Sequence, residues 1–548
     1  MNNINNKENS NLLQQIDILL HRLQKQKKHI KQLVEIGRAL SSKTKIENVF
    51  DLMLKEALDY TNADGATIYT LSADKKFLEF KLIYNRSLYV KLRDSDDHPD
   101  WPKIPLFTSE NEQELKHLVT YVYHTKTAQR MDDVYKQDLF DNKGTLEYDT
   151  KHHYRSKSMI AIPLKNHEDD VLGIVQLINA MSEDEQEILP FSDDHLLLMN
   201  SLASQAAIAL TNKKLIQGLE DLLFQFIKSI AKAIDLKSKF TSNHITRVAK
   251  ITDIITDAVS ASDSGFYKDI HFSEKEKKEI SISGWMHDIG KIITPEKIIN
   301  KSKKLETIVD RIELIKLRFE IIIVNIEKKI MMLQKADGHS AEIQELNNLR
   351  LKLLDDLEFV KSKNAGREFL LDEDAERLTE ISKFRYKVDE EDYKLITEDE
   401  LKNLLIKRGT LTEEEFAKMK EHVKTTWEML SSFTFPKQYK NVPYFASCHH
   451  EQLNGKGYPF GYSREDIPLQ ARIIAVADKF EALASKRPYK KGKSLSEVMS
   501  ILGTMAKNDV IDKDLFEFIL ESGLYKTLAE EVLSKENTGS FNIKDFCK

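Results

Sequence analysis

Residues 449–459 read His449-His450-Glu451-Gln452-Leu453-Asn454-Gly455-Lys456-Gly457-Tyr458-Pro459. Two adjacent imidazoles and a carboxylate lead into a stretch with two glycines and a proline, residues that shape a loop. Downstream, Asp478 follows Ile473-Ile474-Ala475-Val476-Ala477, which places a carboxylate on a buried helix. Upstream, His287-Asp288 follows the apolar run Ile280-Ser281-Ile282-Ser283-Gly284-Trp285-Met286, so this pair is also expected on a mainly buried helix. His244 opens an apolar-periodic helix with Ile245, Val248, Ile251 and Ile254, and His422 lies in apolar-flanked helical text. An Asp beside a His on a buried helix is costly unless it is paired or metal-bound. Any one of these histidines alone reads as an ordinary core or surface residue. Five imidazoles and two carboxylates in such settings, with no thiolate among them, suit iron, manganese or zinc. An Asp can bridge two such ions about 3.5–4 Å apart.

The rest of the chain sets the frame. Its 548 residues predict two to four domains at roughly 150 residues each. Only 18 glycines and 11 prolines, with 31% charged residues, predict long solvated helices, and 41% hydrophobic residues suffice for packed cores. The two cysteines, Cys448 and Cys547, exclude a disulfide framework and a CxxC zinc module. A net charge of −6 argues against a nucleic-acid polymer as partner. The most apolar stretch, Phe319 to Ile326, is eight residues long and carries Glu320 and Asn325. The N-terminus has no signal-peptide pattern, so the expected location is cytoplasmic, with no membrane.

Residues 12–40 read as one helix with an apolar seam at Ile16, Leu19, Leu23, Ile30, Leu33 and Leu40, either a parallel dimer coiled coil or an ordinary amphipathic helix. Strand-like runs around the turn Ala73-Asp74-Lys75 then predict a hairpin of Gly65–Leu71 with Phe77–Ile83, and runs around the polar turn Asn166–Asp170 a second of Ser158–Leu164 with Val171–Asn179. A helix from Ser192, its N-cap, runs on to Asp235, either a rigid lever between a sensor and an output domain or a plain spacer. The stretch Thr307–Asn364 is strongly helical around Ala336-Asp337-Gly338-His339-Ser340 and predicts an antiparallel helical hairpin.

Two resemblances sharpen this frame. The segments Arg155-Ser-Lys-Ser-Met-Ile-Ala-Ile-Pro-Leu164, Leu172-Gly-Ile-Val-Gln-Leu-Ile-Asn179 and Phe191-Ser-Asp-Asp-His195 resemble a GAF domain. That implies an α/β sensor with an antiparallel sheet and flanking helices over 41–212. The cyclic-nucleotide signature of some members is not evident, so no ligand is named; His152 and His153 read as a solvated pair or as haem or metal ligands. The second resemblance runs through His244-Ile-Thr-Arg247-Val, His287-Asp-Ile-Gly-Lys291, His422, His449 to Pro459, Arg472-Ile-Ile-Ala-Val-Ala-Asp478 and Phe480 to Lys490, and is to the HD-GYP family. It implies an all-α domain that hydrolyses cyclic di-GMP at a centre of two or three divalent ions, commonly iron or manganese.

On that resemblance, His244, His287, Asp288 and Asp478 hold one ion, and Asp288 bridges to a second held by His422, His449 and His450. Lys291, Tyr458, Arg487 and Lys490 contact substrate, with His287, Asp288 and Lys291 as the catalytic set. Glu451 reads as a partner orienting a histidine. No glutamate precedes His244 as in three-metal members; Asp235 is the nearest upstream acid, which favours two ions and the linear product pGpG over GMP. The expected order is thus an N-terminal coiled-coil-like helix (1–40), the GAF domain (41–212), a connecting helix (213–235), an HD-GYP domain (236–535) with a helical insertion at 306–403, and a tail (536–548). A homodimer is expected through the N-terminal and connecting helices. The insertion reads as a lid, a dimer contact or, like the GYP loop, a protein-docking arm. Two other readings stand beside the enzyme: a non-catalytic scaffold that binds cyclic di-GMP or a protein, and a phosphodiesterase for another cyclic dinucleotide such as cyclic GMP-AMP.

Overall fold

The computed structural model describes residues 46–72, 74–93, 103–237, 243–335, 339–366, 368–388, 391–485 and 492–533, with the helical positions Ile16, Leu19, Leu20, Leu23 and Lys27. Apart from those five positions, the expected N-terminal coiled coil over 1–40 lies outside the described residues, as do Arg487, Lys490 and the tail. The chain divides into two compact units, 1–221 and 222–548.

In the first unit, helix α1 (Ile46–Thr61) precedes a mixed-length antiparallel sheet. Its strands are β1 (Ala63–Leu71), β2 (Phe77–Asn85), β3 (Val90–Arg93), β4 (Ile104–Pro105), β5 (Gln129–Met131), β6 (Met159–Lys165), β7 (Val171–Met181) and β8 (Ile188–Leu189). Both expected hairpins form, and β1 pairs with β7 to fuse them, giving the order β3-β2-β1-β7-β6-β5. Because β1 is central it is buried on both faces, which is why its sequence lacks clean alternation. One face packs on α1 and the start of a long helix through Phe50, Leu54, Ile68, Val175, Leu202 and Ala206. The other face carries Tyr69 and Ile174, which share a core with Val134 and helix α2 (Leu118–Thr125); helix α3 (Lys143–His152) follows in the chain. On this second face the buried Tyr69 hydroxyl donates to Gln176 Oε1 at 3.0 Å.

The long helix is α4 (Asp193–Lys237), 45 residues. Ser192 Oγ accepts from the His195 N–H at 3.2 Å, the cap the sequence predicts, and Gly218 does not interrupt the helix. Ile208, Leu215, Leu219, Leu222 and Phe226 are exposed along it. Further on, Ile227, Ala231 and Ile234 pack with Ile245, Ile282 and Met286 in the core of the second unit.

That second unit contains α5 (His244–Ser260), α6 (Glu274–Met286), α7 (Ile312–Gln334), α8 (Ser340–Asn364), α9 (Asp372–Ser382), a ribbon of β9 (Arg385–Val388) with β10 (Glu391–Lys394), α10 (Glu398–Leu404), α11 (Glu413–Ser431), α12 (Val442–Ser447), α13 (Leu469–Ala484), α14 (Leu495–Lys507), α15 (Lys513–Glu521) and α16 (Leu524–Val532). Helices α5, α13, α14, α15 and α16 share one apolar core around Val248, Ile473, Phe480, Val498 and Leu515.

Helices α7 and α8 run antiparallel, as the pairs Lys329–Glu342 and Arg350–Glu327, both at 2.9 Å, require. They are more than the bare helical hairpin expected. Two helices bury only facing stripes, and here Phe319, Val360, Leu378, Leu395, Ile396 and Leu404 close a separate core that needs α9, α10 and the ribbon. The two ends of this segment meet. Lys301 Nζ reaches Asn403 Oδ1 at 2.9 Å and Glu415 Oε2 at 2.7 Å. Lys304, buried, donates to the Leu404 and Ile406 carbonyls at 2.9 and 2.7 Å, capping the end of α10. Burial lowers the Lys304 ammonium to about 8.

Candidate metal centre

The ligand-type residues come from five places in the chain and meet in the second unit. His244 is the first residue of α5, His422 lies within α11, and Asp478 lies within α13. His449 and His450 follow α12 in a turn. His287 and Asp288 are not inside a helix, as expected, but at the break between α6 and a short 3-10 turn, Ile289–Ile292. The break exists because α11 passes too close for a helix with ordinary side chains. Gly290 N donates to Thr426 Oγ1 at 3.0 Å, and Thr426 Oγ1 donates to the His287 carbonyl at 3.1 Å. A Cβ on Gly290 would lie 1.9 Å from the His422 carbonyl oxygen.

Three groups of side chains converge closely enough to share an ion: His422 with His449 and His450; His244 with His287 and Asp478; and His287 with Asp288 and His449. Asp288 stands between the first two. Its Oδ2 lies 3.3 Å from Nε2 of both His244 and His287, while its Oδ1 lies 3.3 Å from His422 Nε2 and 3.9 Å from His449 Nε2. Each carboxylate oxygen therefore faces a different set of imidazoles.

The hydrogen bonds fit ligation. His287, His422 and His449 each use Nδ1 on a carbonyl three residues back, Gly284, Met419 and Ala446, at 2.7, 2.5 and 2.7 Å. That fixes the tautomer and leaves Nε2 with its lone pair exposed to the site. Nε2 of all three, and Asp288 Oδ1, are buried with no hydrogen-bond partner. Orphaned acceptors converging in a buried site are costly by themselves, and divalent cations resolve that cost.

The electrostatics of the side chains agree. Burial opposes the charged form of Asp288, but Lys291 and the neighbouring imidazoles hold its carboxyl well below the usual range. Burial and His287 push His449 down to about 3, and burial also lowers His450, so both imidazoles stay neutral and able to ligate. His244 goes the other way, up to about 9: burial disfavours its charge, yet hydrogen bonds to Asp288 and Glu481 outweigh it.

Lys291 sits in the 3-10 turn, and its Nζ lies 2.5 Å from Asp288 Oδ2. Among the described residues Glu451 orients no histidine; its buried carboxylate accepts from the backbone N–H groups of Phe460 and Tyr462 at 2.7 and 3.0 Å and so shapes the loop after Pro459. Tyr458 lies beside His450, ring centres 4.9 Å apart. Asp235 accepts from the Ile245 N–H at 3.2 Å and lines a small cavity with His244, Asp288 and Lys291; burial raises it to about 6. His152 and His153 are exposed at the end of α3 and join no ligand group among the described residues.

Glu481 was not singled out from sequence. Its Oε2 lies 2.5 Å from His244 Nδ1 and its Oε1 2.7 Å from Arg247 Nε, so it fixes the His244 ring from behind. The available signal was its spacing, one turn after Asp478 on the same helix. In Glu481→Gln the imidazole keeps a neighbour but loses the charged acceptor. Manganese affinity, measured by titrating apo-protein, is expected to fall about 10-fold or more. Unchanged affinity would make Glu481 a structural partner of Arg247 alone.

Known proteins bear on this geometry in two ways. Residues 45–210 match the GAF domain model, and residues 397–515 match a model described as HD domain. The chain carries a GAF domain and an HD domain. The HD match takes in His422, His449, His450 and Asp478, whereas His244, His287 and Asp288 lie before it, on the far side of the α7–α10 segment. Among curated relatives, a cyclic di-GMP phosphodiesterase of Thermotoga maritima is 38% identical over 113 residues, 20% of this chain and 30% of the relative. The cyclic di-GMP phosphodiesterase response regulator RpfG of Xanthomonas campestris is 43% identical over 101 residues, 18% and 26% of the two chains. A 3'3'-cGAMP-specific phosphodiesterase of Vibrio cholerae is 36% identical over 129 residues, 24% and 28%. The chain thus spans less than a third of the length of each of these relatives. Among the described residues, no helix is long and apolar enough to cross a membrane.

Proposed function

We propose that the HD domain is a metal-dependent phosphodiesterase of the HD-GYP type that hydrolyses cyclic di-GMP to pGpG or GMP, under control of the GAF domain. The observation that carries this reading is the placement of Asp288, with one oxygen toward His244 and His287 and the other toward His422 and His449. His244, His287, Asp288 and Asp478 would hold one ion, and Asp288, His422, His449 and His450 a second, iron or manganese being what the resemblance to the HD-GYP family implies. Bound there, the pair of ions supplies an acidified water and neutralises charge on the phosphodiester. The chain's own part is to fix the imidazole tautomers through three backbone carbonyls, to hold His244 with Glu481, and to keep Asp288 ionised with Lys291.

Tyr458, Arg487 and Lys490 are proposed substrate contacts; the last two fall outside the described residues. The exposed apolar row Ile208, Leu215, Leu219, Leu222 and Phe226 on α4 has the three-four spacing of a helix pair and supports a parallel homodimer. The test of the reading is turnover of cyclic di-GMP by the full chain, purified anaerobically and loaded with ferrous iron or manganese, with products separated by chromatography. Linear pGpG or GMP is the expected result. Faster turnover of 3'3'-cGAMP than of cyclic di-GMP would move the substrate to that hybrid dinucleotide. Two bound metals with no turnover of either would leave a binding scaffold.

A further inference from the structure

Beside the metal groups, on α11, stands a cation that the chemistry above does not use. Lys420 Nζ lies 4.7 Å from the centre of the Phe416 ring, one helical turn away, and 5.1 Å from the centre of the Tyr458 ring. Tyr458 in turn lies against the His450 ring, tilted, with centres 4.9 Å apart and 32° between their planes. His450, Tyr458, Lys420 and Phe416 thus form one continuous row that begins at a candidate metal ligand. It ends at a phenylalanine that is 49% exposed.

The lysine is unspent. Among the described residues it has no ion-pair or hydrogen-bond partner, while Lys291 pairs with Asp288, and Lys424, one turn along α11, pairs with Glu428. An ammonium between two ring faces is held in place by its stem and by cation–π attraction, yet keeps its N–H donors free. A plain surface lysine would sweep through solvent; this one is held between Phe416 and a tyrosine that neighbours the candidate ligand His450.

The ligand chemistry follows from the donor and the rings. Aromatic faces stack on any nucleobase. A lysine discriminates, because guanine offers two acceptors on one edge, O6 and N7, where adenine offers N7 beside an N6 amino donor. Placed next to a phosphodiester-binding metal site, such a row reads the base joined to the phosphate through one sugar.

We propose that Phe416, Lys420 and Tyr458 form a guanine-binding platform, with Lys420 as the residue that selects guanine over adenine. This rests on the phosphodiester-binding reading of the metal site, though not on turnover. The test is therefore binding. Dissociation constants of cyclic di-GMP and cyclic di-AMP would be measured by calorimetry on the manganese-loaded full chain, for wild type, Lys420→Met and Lys420→Arg. Methionine keeps the stem between the rings and removes the donors. Cyclic di-GMP is expected to bind wild type more tightly than cyclic di-AMP does. It should lose about 10- to 100-fold in Lys420→Met and recover in Lys420→Arg, with cyclic di-AMP changing less than about threefold. An equal loss for both dinucleotides would assign Lys420 to phosphate attraction and overturn the proposal, as would cyclic di-GMP affinity unchanged in Lys420→Met. Failure of the phosphodiesterase reading shows separately, as wild type that binds cyclic di-GMP without hydrolysing it.

Discussion

Asp288→Asn is expected to abolish the proposed hydrolysis of cyclic di-GMP, by at least about 1,000-fold, which corresponds to about 4 kcal/mol in the barrier. The reason is geometric before it is electrostatic. Asp288 is buried, and its two oxygens face two different sets of imidazole Nε2 atoms at 3.3–3.9 Å. An asparagine of the same shape keeps one acceptor and replaces the other with an amide donor. Whichever way it turns, N–H hydrogens point at one of the two ligand groups, and a cation there is repelled. Lys291 also loses the carboxylate it touches at 2.5 Å and leaves an unpaired positive charge at the same place. Metal analysis of the variant should therefore show no more than one ion per chain, against the two expected of wild type. Two ions retained in Asp288→Asn would remove the bridging role.

Gly290→Ala is expected to cost about 3 kcal/mol or more of stability and to impair metal binding in the same stroke. The added Cβ would meet the His422 carbonyl oxygen at 1.9 Å, the Thr426 backbone nitrogen at 2.7 Å and the His422 carbonyl carbon at 2.8 Å. All three are backbone atoms of α11, so no side chain can turn aside; the 3-10 turn and α11 must separate. That motion breaks the Thr426 bridge to Gly290 and His287 and carries His422 away from Asp288. Thermal unfolding of the metal-free full chain reads the stability, and a manganese titration reads the site. Gly218→Ala on α4, where a Cβ meets nothing within 4 Å, is the control, expected to hold or slightly raise stability because alanine is the better helix former. Wild-type melting and wild-type metal affinity in Gly290→Ala would mean that α11 does not pack on the turn this closely.

Much of this was legible in sequence because the signals were local. The hairpins of the first unit appear as apolar runs around short polar turns, and the cap at Ser192 as a side chain beside two acids. The candidate ligands His244, His287, Asp288, His422, His449, His450 and Asp478 stood out as polar groups in apolar text, a cost that evolution leaves only where something offsets it. What stayed hidden was non-local. The pairing of β1 with β7 links residues more than a hundred positions apart, and no periodicity within either strand encodes it. Glu481 looked like any helix-surface acid until α5 placed His244 and Arg247 against it. The ribbon at 385–394 was lost in a segment read as helical, although Arg385-Tyr386-Lys387 alternates as a strand does.

By itself, then, the sequence determined which chemistry the chain carries: imidazoles and carboxylates without thiolates, in buried settings, beside a glycine- and proline-shaped loop. The tertiary structure alone decided how those groups are shared. Which oxygen of Asp288 faces which histidines depends on a helix that ends at Met286 because Gly290 lets α11 press against the chain there. That contact joins residues separated by more than 130 positions, including the whole α7–α10 segment, and close packing between distant segments is fixed by shape and excluded volume, which no local pattern records.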